Sequence, residues 1–211
     1  MNEKRNRFSM RGWQFPLLGA FVLSLIFGDV TLARSQQMPS DMSPAIRKAI
    51  VTLPNYGVFD DLSFEIQEST VILRGFASRP SLKESVSQAV KKIQGVEKVI
   101  NQIEVLPLSP RDDDVRADLY ANIYGDTALG RFGSRRATPQ FSSIARQGFG
   151  ITNDPPIGYH AIHIIVKSGH VTLAGMVDTP GDSIIAETRV RGTFGVFSVT
   201  NDLRVTSDVK E

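Results

Sequence analysis

The feature that most constrains the fold is an internal repeat at a spacing of one hundred residues. Residues 64–106 align without a gap on residues 164–206, with ten identical positions. The identities fall on turns and on apolar positions of one pattern: Val71/Val171, Leu73/Leu173, Gly75/Gly175, Pro80/Pro180, Val90/Val190, Gly95/Gly195, Val96/Val196, Val99/Val199, Asn101/Asn201 and Val105/Val205. Two copies are too few for a solenoid, so the repeat predicts a duplicated domain.

Each copy contains the pattern of a hairpin, a helix and a last strand. Apolar and polar residues alternate along 64–74 and 164–173, which is typical of strands with one buried face. Ser168-Gly169 predicts a two-residue turn that pairs Val166 with Val171 and Ile164 with Leu173. In the first copy, Ser81 and Glu84 have the spacing of a capping box for the helix.

Another helix precedes each hairpin, the first starting at Ser43-Pro44 and the second following three capping acids, 112–114. The predicted fold class is therefore α+β. We expect two tandem αββαβ domains, at 41–108 and 111–207, each a three-stranded mixed sheet packed on two helices. The connection at 130–158 is much longer than its counterpart at 55–62, and connections of this length are usually functional or disordered.

Residues 1–33 have the organisation of a secretory signal peptide. Basic residues come first, an apolar run from Phe15 to Phe27 follows, and Thr31-Leu32-Ala33 supplies small residues for cleavage after Ala33. The alternative is a retained membrane anchor, but the apolar run is shorter than the ~20 residues that a membrane span needs. We therefore expect a periplasmic protein.

Charge and cysteine content exclude several classes of protein. The leader carries four of the 24 basic and two of the 22 acidic residues, so the rest of the chain is formally neutral. A uniformly basic nucleic-acid-binding protein is not supported. The chain has no cysteine, which excludes disulfides, thiolate metal sites and a lipidated N-terminal cysteine.

The repeat resembles the BON domain, named for bacterial osmotic-stress and nodulation proteins. The resemblance rests on VILRG at 71–75 and VTLAG at 171–175, and on GVEKVINQIEV at 95–105 and GVFSVTNDLRV at 195–205. It implies an exported, often tandem protein associated with membrane integrity or osmotic stress, with phospholipid binding as the proposed role. It implies no catalytic residues, and we expect neither enzyme activity nor a cofactor.

The long connection holds the candidate site residues. No acid occurs between Asp126 and Asp154. Guanidinium groups bind phosphate, and aromatic side chains beside cations are typical of interfacial membrane contacts. The predicted lipid-binding residues are Arg131, Phe132, Arg135, Arg136, Phe141, Arg146 and Phe149. The alternative is a solvated connection whose phenylalanines pack against the second domain.

The three histidines do not form the pattern of a metal site. His160 and His163 point to opposite faces of a strand, and the expected register places His163 beside Ala174 and His170 beside Lys167. We interpret them as sheet-surface residues.

Two functional hypotheses remain. The first is a non-enzymatic periplasmic protein that binds anionic phospholipid or a membrane surface. The second is a soluble protein-interaction or holdase-like chaperone module that acts on envelope proteins.

Overall fold

The computed structural model describes residues 41–133, 150–156 and 158–206. Its first half has the order helix, two strands, helix, strand. The elements are α1 (Ser43–Val51), β1 (Asp61–Gln67), β2 (Thr70–Ala77), α2 (Pro80–Lys91), β3 (Lys98–Asn101) and β4 (Glu104–Val105).

The second half repeats this order. Its elements are α3 (Pro110–Tyr124), a short 3-10 helix (Gly130–Phe132), β5 (Ile162–Lys167), β6 (His170–Val177), α4 (Pro180–Arg191) and β7 (Ser198–Val205). The hairpins, the helices after them and the last strands keep the spacing of one hundred residues. The repeat in the sequence is therefore a repeat of structure.

Each sheet is built around the second strand of its hairpin. β2 pairs antiparallel with β1 and parallel with β3 and β4. In the same way, β6 pairs antiparallel with β5 and parallel with β7. In the first half, apolar residues of both helices and of β2 share one buried cluster: Ile46, Ile50, Val71, Leu73, Leu82, Val86 and Val90. The predicted α+β class, with two mixed sheets each packed on two helices, is confirmed.

The predicted register of the second hairpin is confirmed as well. Val166 pairs with Val171 and Ile164 with Leu173. The turn residues Ser168 and Gly169 have φ angles of 53° and 75°, which suit a tight two-residue hairpin turn. In the first hairpin Glu68 adopts φ 55° although it carries a side chain.

Two repeated residues have clear structural reasons. Gly175 has φ 115°, and a Cβ there would lie 2.0 Å from the carbonyl oxygen of Ala161, so no other residue fits without strain. Asn201 donates from Nδ2 to the carbonyl oxygen of Ser183 and accepts from the backbone N–H of Leu203, at 3.3 Å each. The asparagine therefore joins the last strand to the helix before it.

Two local predictions for the first half were wrong. Ser81 and Glu84 do not form a capping box, because α2 begins earlier, at Pro80, with Arg79 as its N-cap and no side-chain cap. The last strand is not continuous either: it divides into β3 and β4, and only the second half has one unbroken strand there.

The segment between α1 and β1 belongs to the first half by sequence but packs into the second. Val58 and Phe59 are buried in the hydrophobic cluster of the second half. The backbone N–H of Ile164 in β5 donates to the carbonyl oxygen of Val58 at 2.8 Å. The first half therefore contributes two side chains to the core of the second, and the boundaries at 41–108 and 111–207 stay a prediction.

Candidate functional site

Of the predicted lipid-binding residues, two lie in the described part of the chain. Arg131 donates from Nη2 to Oδ2 of Asp182 at 2.7 Å and from Nε to Oδ2 of Asp178 at 3.3 Å. Its Cζ lies 4.4 Å from the ring centroid of Phe132, which is only 6% exposed within the core. Both side chains therefore have structural contacts. Arg135, Arg136, Phe141, Arg146 and Phe149 lie outside the described residues, as does the predicted cleavage site at Ala33.

The partner of Arg131 also caps a helix. Asp182 and Thr179 form a capping box at the start of α4. Burial raises the pKa of Asp182, but hydrogen bonds from Thr179 and Arg131 outweigh it and hold that pKa below its ordinary value. The carboxylate therefore stays charged and joins the end of the 3-10 helix to α4.

The acids at the start of α3 have roles beyond capping. Ser109 is the N-cap of the helix. Asp112, 1% exposed, accepts the backbone N–H groups of Ser168 and Gly169 at 2.8 and 2.9 Å. Asp113 accepts from the buried Arg116 at 2.7 Å. Both acids lie in the first turn of α3, where negative charge is favourable, although the helix begins before them, at Pro110, and not after them as predicted. They also attach α3 to other segments, Asp112 to the hairpin turn and Asp113 to the hydroxyl of Thr152, which donates to it.

The histidines occupy three different environments. His160 is 5% exposed, so its prediction as a surface residue was wrong. Its Nε2 lies 3.2 Å from the hydroxyl of Tyr120, and burial lowers its pKa to about 4. His163 is part-buried with Nδ1 3.2 Å from the carbonyl oxygen of Gly57, and burial lowers its pKa. His170 is exposed.

The predicted register of two histidines is confirmed. His163 pairs with Ala174 and His170 with Lys167. Within the described ranges, no three potential ligands among His, Asp and Glu come together to hold a metal ion.

A different surface carries exposed aromatic residues. It lies between α4 and β7, and we name residues 192–197 together with Arg111 the α4–β7 tip. Phe194 is 91% exposed and Phe197 is 62% exposed. The guanidinium carbon of Arg111 lies 5.2 Å from the ring centroid of Phe197. The tip therefore carries two exposed aromatic rings, one of them in contact with a cation.

The backbone holds the α4–β7 tip in place. The N–H of Phe197 donates to the carbonyl oxygen of Gly169 at 2.8 Å. Gly195 has φ 85°, and a Cβ at this position would lie 2.9 Å from Val115. The rings are thus presented from a fixed turn.

Sequence reasoning missed the tip although the repeat contains its signal. At the positions of Phe194 and Phe197 the first copy has Gln94 and Glu97. The aligned elements keep the same fold, so the fold does not require an aromatic residue at either position. Comparison of the two copies position by position would have identified both.

No helix among the described residues has the length and apolar character needed to cross a membrane. The fold is a duplicated α+β unit, and its second copy carries an exposed aromatic surface. The BON domain model matches residues 45–107 and 150–207, which is more than half of the chain. The chain belongs to the BON domain family, whose members are envelope-associated, non-catalytic binding proteins with a phospholipid-binding type of role.

Two solved structures are also similar. Both are of CdsD, a structural protein of the type III secretion system of Chlamydia trachomatis, each at 11% sequence identity and a TM-score of 0.25. The match to the structure of its C-terminal domain covers 78% of this chain and 97% of the CdsD chain. The match to the second structure covers 80% of this chain and 95% of the CdsD chain. A likeness of this size supports no inference about this chain. No curated protein matches the sequence.

Proposed function

We propose that the protein is exported to the periplasm and binds the surface of anionic phospholipid membranes through the α4–β7 tip, thereby supporting envelope integrity. The observation that carries this proposal is the exposure of Phe194 and Phe197, with Arg111 against the ring of Phe197. Membership of the BON family supports a location in the envelope and phospholipid as the ligand. The signal-like leader at residues 1–33 supports export.

The composition of the tip suits an interfacial contact. Full burial of a phenylalanine side chain contributes about 1.5–3 kcal/mol, so two rings that enter the acyl boundary contribute about 3 kcal/mol or more. A cation near an anionic bilayer adds about 1 kcal/mol. Contributions of this size support reversible attachment of the kind that peripheral proteins use.

The long connection is a second proposed contact. Arg131 is paired with Asp182, and Phe132 is buried in the core. The residues of the connection that we propose to contact lipid are therefore Arg135, Arg136, Phe141, Arg146 and Phe149. Replacing Arg135, Arg136 and Arg146 by serine tests this contact without disturbing the ion pair of Arg131. We expect a weaker, salt-sensitive attraction of about 1 kcal/mol per charge.

Co-sedimentation with vesicles tests the proposal. The purified protein is mixed with phosphatidylcholine vesicles that contain or lack phosphatidylglycerol. We expect binding to the anionic vesicles, reduced by added salt because screening shortens to about 3 Å at 1 M. The double substitution Phe194→Gln and Phe197→Gln should weaken binding roughly a hundredfold, the equivalent of the lost apolar insertion.

Ile184→Gln is the matched control, because Ile184 is an exposed apolar residue on α4, 65% exposed and away from the tip. It should bind like the unaltered protein. Equal binding by the double variant would refute the tip as the contact. Absence of vesicle binding together with suppression of aggregation of an unfolded client protein would favour the chaperone hypothesis instead.

A further inference from the structure

A cleft of about 570 Å³ lies between the two halves. One wall comes from the C-terminal part of α1, the segment after it and the start of β1. The other comes from the residues before β5, the end of β6 and β7. Its size is within the range of small-molecule sites, which bury most of a ligand in a few hundred Å³.

The cleft combines aromatic and apolar walls with charge. Tyr56 and Leu62 lie on the first-half side, and Tyr159 and Met176 lie on the second-half side. Tyr159 is 72% exposed and Met176 is 44% exposed, so apolar surface continues out of the cleft. Such surface suits a ligand that has an apolar part as well as a polar group.

Four ionic side chains line the same cleft, and their charges balance. Arg47 and Arg204 are cationic, and Asp61 and Asp202 are anionic. Within the described part of the chain, no salt bridge joins any of the four to a partner.

Two of these side chains, Asp202 and Arg204, act on the charge of Asp61. Burial raises the pKa of Asp61, His163 and Arg204 lower it, and Asp202 raises it. Asp202 and Arg204 lie two residues apart on β7, so their side chains share one face of that strand, and both line the cleft together with Asp61. The two lining histidines add no cation at neutral pH, since burial lowers the pKa of both.

We propose that this cleft binds the zwitterionic headgroup of a phospholipid, with arginine at the phosphate and aspartate at the ammonium group. Arg47 and Arg204 present guanidinium groups, which match phosphate oxygens. Asp61 and Asp202 accept from the ammonium group, and the tyrosine rings add cation–π attraction. The inference goes beyond the proposed function, because insertion of the α4–β7 tip into an anionic surface requires no ammonium group.

Charge complementarity selects this occupant over two others. A purely anionic headgroup would leave Asp61 and Asp202 facing negative charge without a cation. A soluble zwitterion would leave the apolar residues at the mouth of the cleft uncovered. A lipid with a phosphate, an ammonium group and acyl chains offers a partner to the arginines, to the aspartates and to the apolar side chains at the mouth.

Titration with short-chain lipid below its micelle concentration tests the proposal. Dihexanoyl phosphatidylethanolamine is added to the purified protein and followed by calorimetry and by NMR shifts. We expect one molecule per chain, with shifts at Tyr159, His163 and Arg204. Phosphoethanolamine without chains should bind at least tenfold more weakly, and so should dihexanoyl phosphatidylglycerol, which lacks the ammonium group. Equal affinity for phosphatidylglycerol would overturn the proposal, as would the absence of any binding.

Matched substitutions separate the cleft from general charge effects. Asp202→Asn and Arg204→Gln should each weaken binding roughly tenfold, since each removes a charge-assisted contact. Asp118→Asn and Lys91→Gln remove the same charges at exposed positions outside the cleft and should change nothing. Equal losses in both pairs would refute the assignment.

The double variant Phe194→Gln and Phe197→Gln should lose binding to the vesicles of phosphatidylcholine and phosphatidylglycerol, neither of which has an ammonium N–H for Asp61 and Asp202 to accept, yet keep this titration. Failure of the vesicle experiment therefore leaves the cleft test unaffected. Loss of the monomeric lipid in the double variant would overturn the placement of the headgroup in the cleft.

Discussion

Replacing Phe59 by alanine tests whether the two halves unfold as one unit. The side chain is 1% exposed and belongs to the core cluster of the second half, although β1 follows it directly in the first. Val58, next to it, is fully buried in the same cluster. The substitution therefore removes apolar packing from one half by changing a segment of the other.

The expected cost follows from the size of the cavity. Phenylalanine to alanine in a packed core costs about 3–5 kcal/mol in free energy of unfolding. For a protein of this length, this corresponds to a decrease of roughly 6–20 °C in Tm. Tyr159 occupies the matching position of the second copy but is 72% exposed, so Tyr159→Ala should change stability by about 0.5 kcal/mol or less.

Urea unfolding followed by circular dichroism measures the total loss, and hydrogen exchange with mass spectrometry assigns it to each half. We expect one transition, with protection lost from β2 and β6 together. A loss below 1 kcal/mol, or faster exchange in one half alone, would refute the coupling of the two halves through Phe59.

Three further predictions concern single side chains. Asp112→Ala leaves the N–H groups of Ser168 and Gly169 without their acceptor and should cost about 3 kcal/mol in urea unfolding, whereas the exposed Asp114→Ala should cost little. Gly175→Ala places a Cβ 2.0 Å from a backbone oxygen at φ 115°. It should lower the free energy of unfolding by about 1–3 kcal/mol or more and lower Tm, and an unchanged Tm would contradict the strain. His160 should titrate near pH 4 by NMR, and titration near 6.5 would contradict its burial. Its contribution to stability should be present above pH 6.5 and be lost as the pH falls towards 4, because in that range the unfolded chain binds the proton more readily than the folded chain.

The hairpins could be predicted from the sequence because the residues that determine their pairing are close together in the chain. Alternation along 164–173 and the glycine at position 169 together determine which residues pair. The burial of Phe59 and His160 could not be predicted in this way. Both contact residues that are distant in the chain. The matching positions Phe59 and Tyr159 differ in exposure because only Phe59 belongs to the core cluster of the second half.

The candidate site shows the same limit. Arg131 lies in a segment whose composition suits a phosphate contact. Its partners are far along the chain, Asp178 just before α4 and Asp182 in the first turn of α4. Composition does not show which cations are already paired. The signal at Phe194 was available, because a difference between two copies of one fold indicates a position that packing does not require.

The differences between the copies indicate how the duplicated domains divide their roles. Gln94 and Glu97 correspond to Phe194 and Phe197, so the aromatic tip belongs to the second copy alone. Glu104, which pairs with Lys167 at 2.5 Å across the halves, corresponds to Arg204, which lines the cleft. The first copy supplies the other wall of that cleft and buries Val58 and Phe59 in the second core. The first copy therefore completes the cleft and stabilises the second, while the second presents the surface proposed to reach the membrane, and both halves are needed for the complete set of contacts.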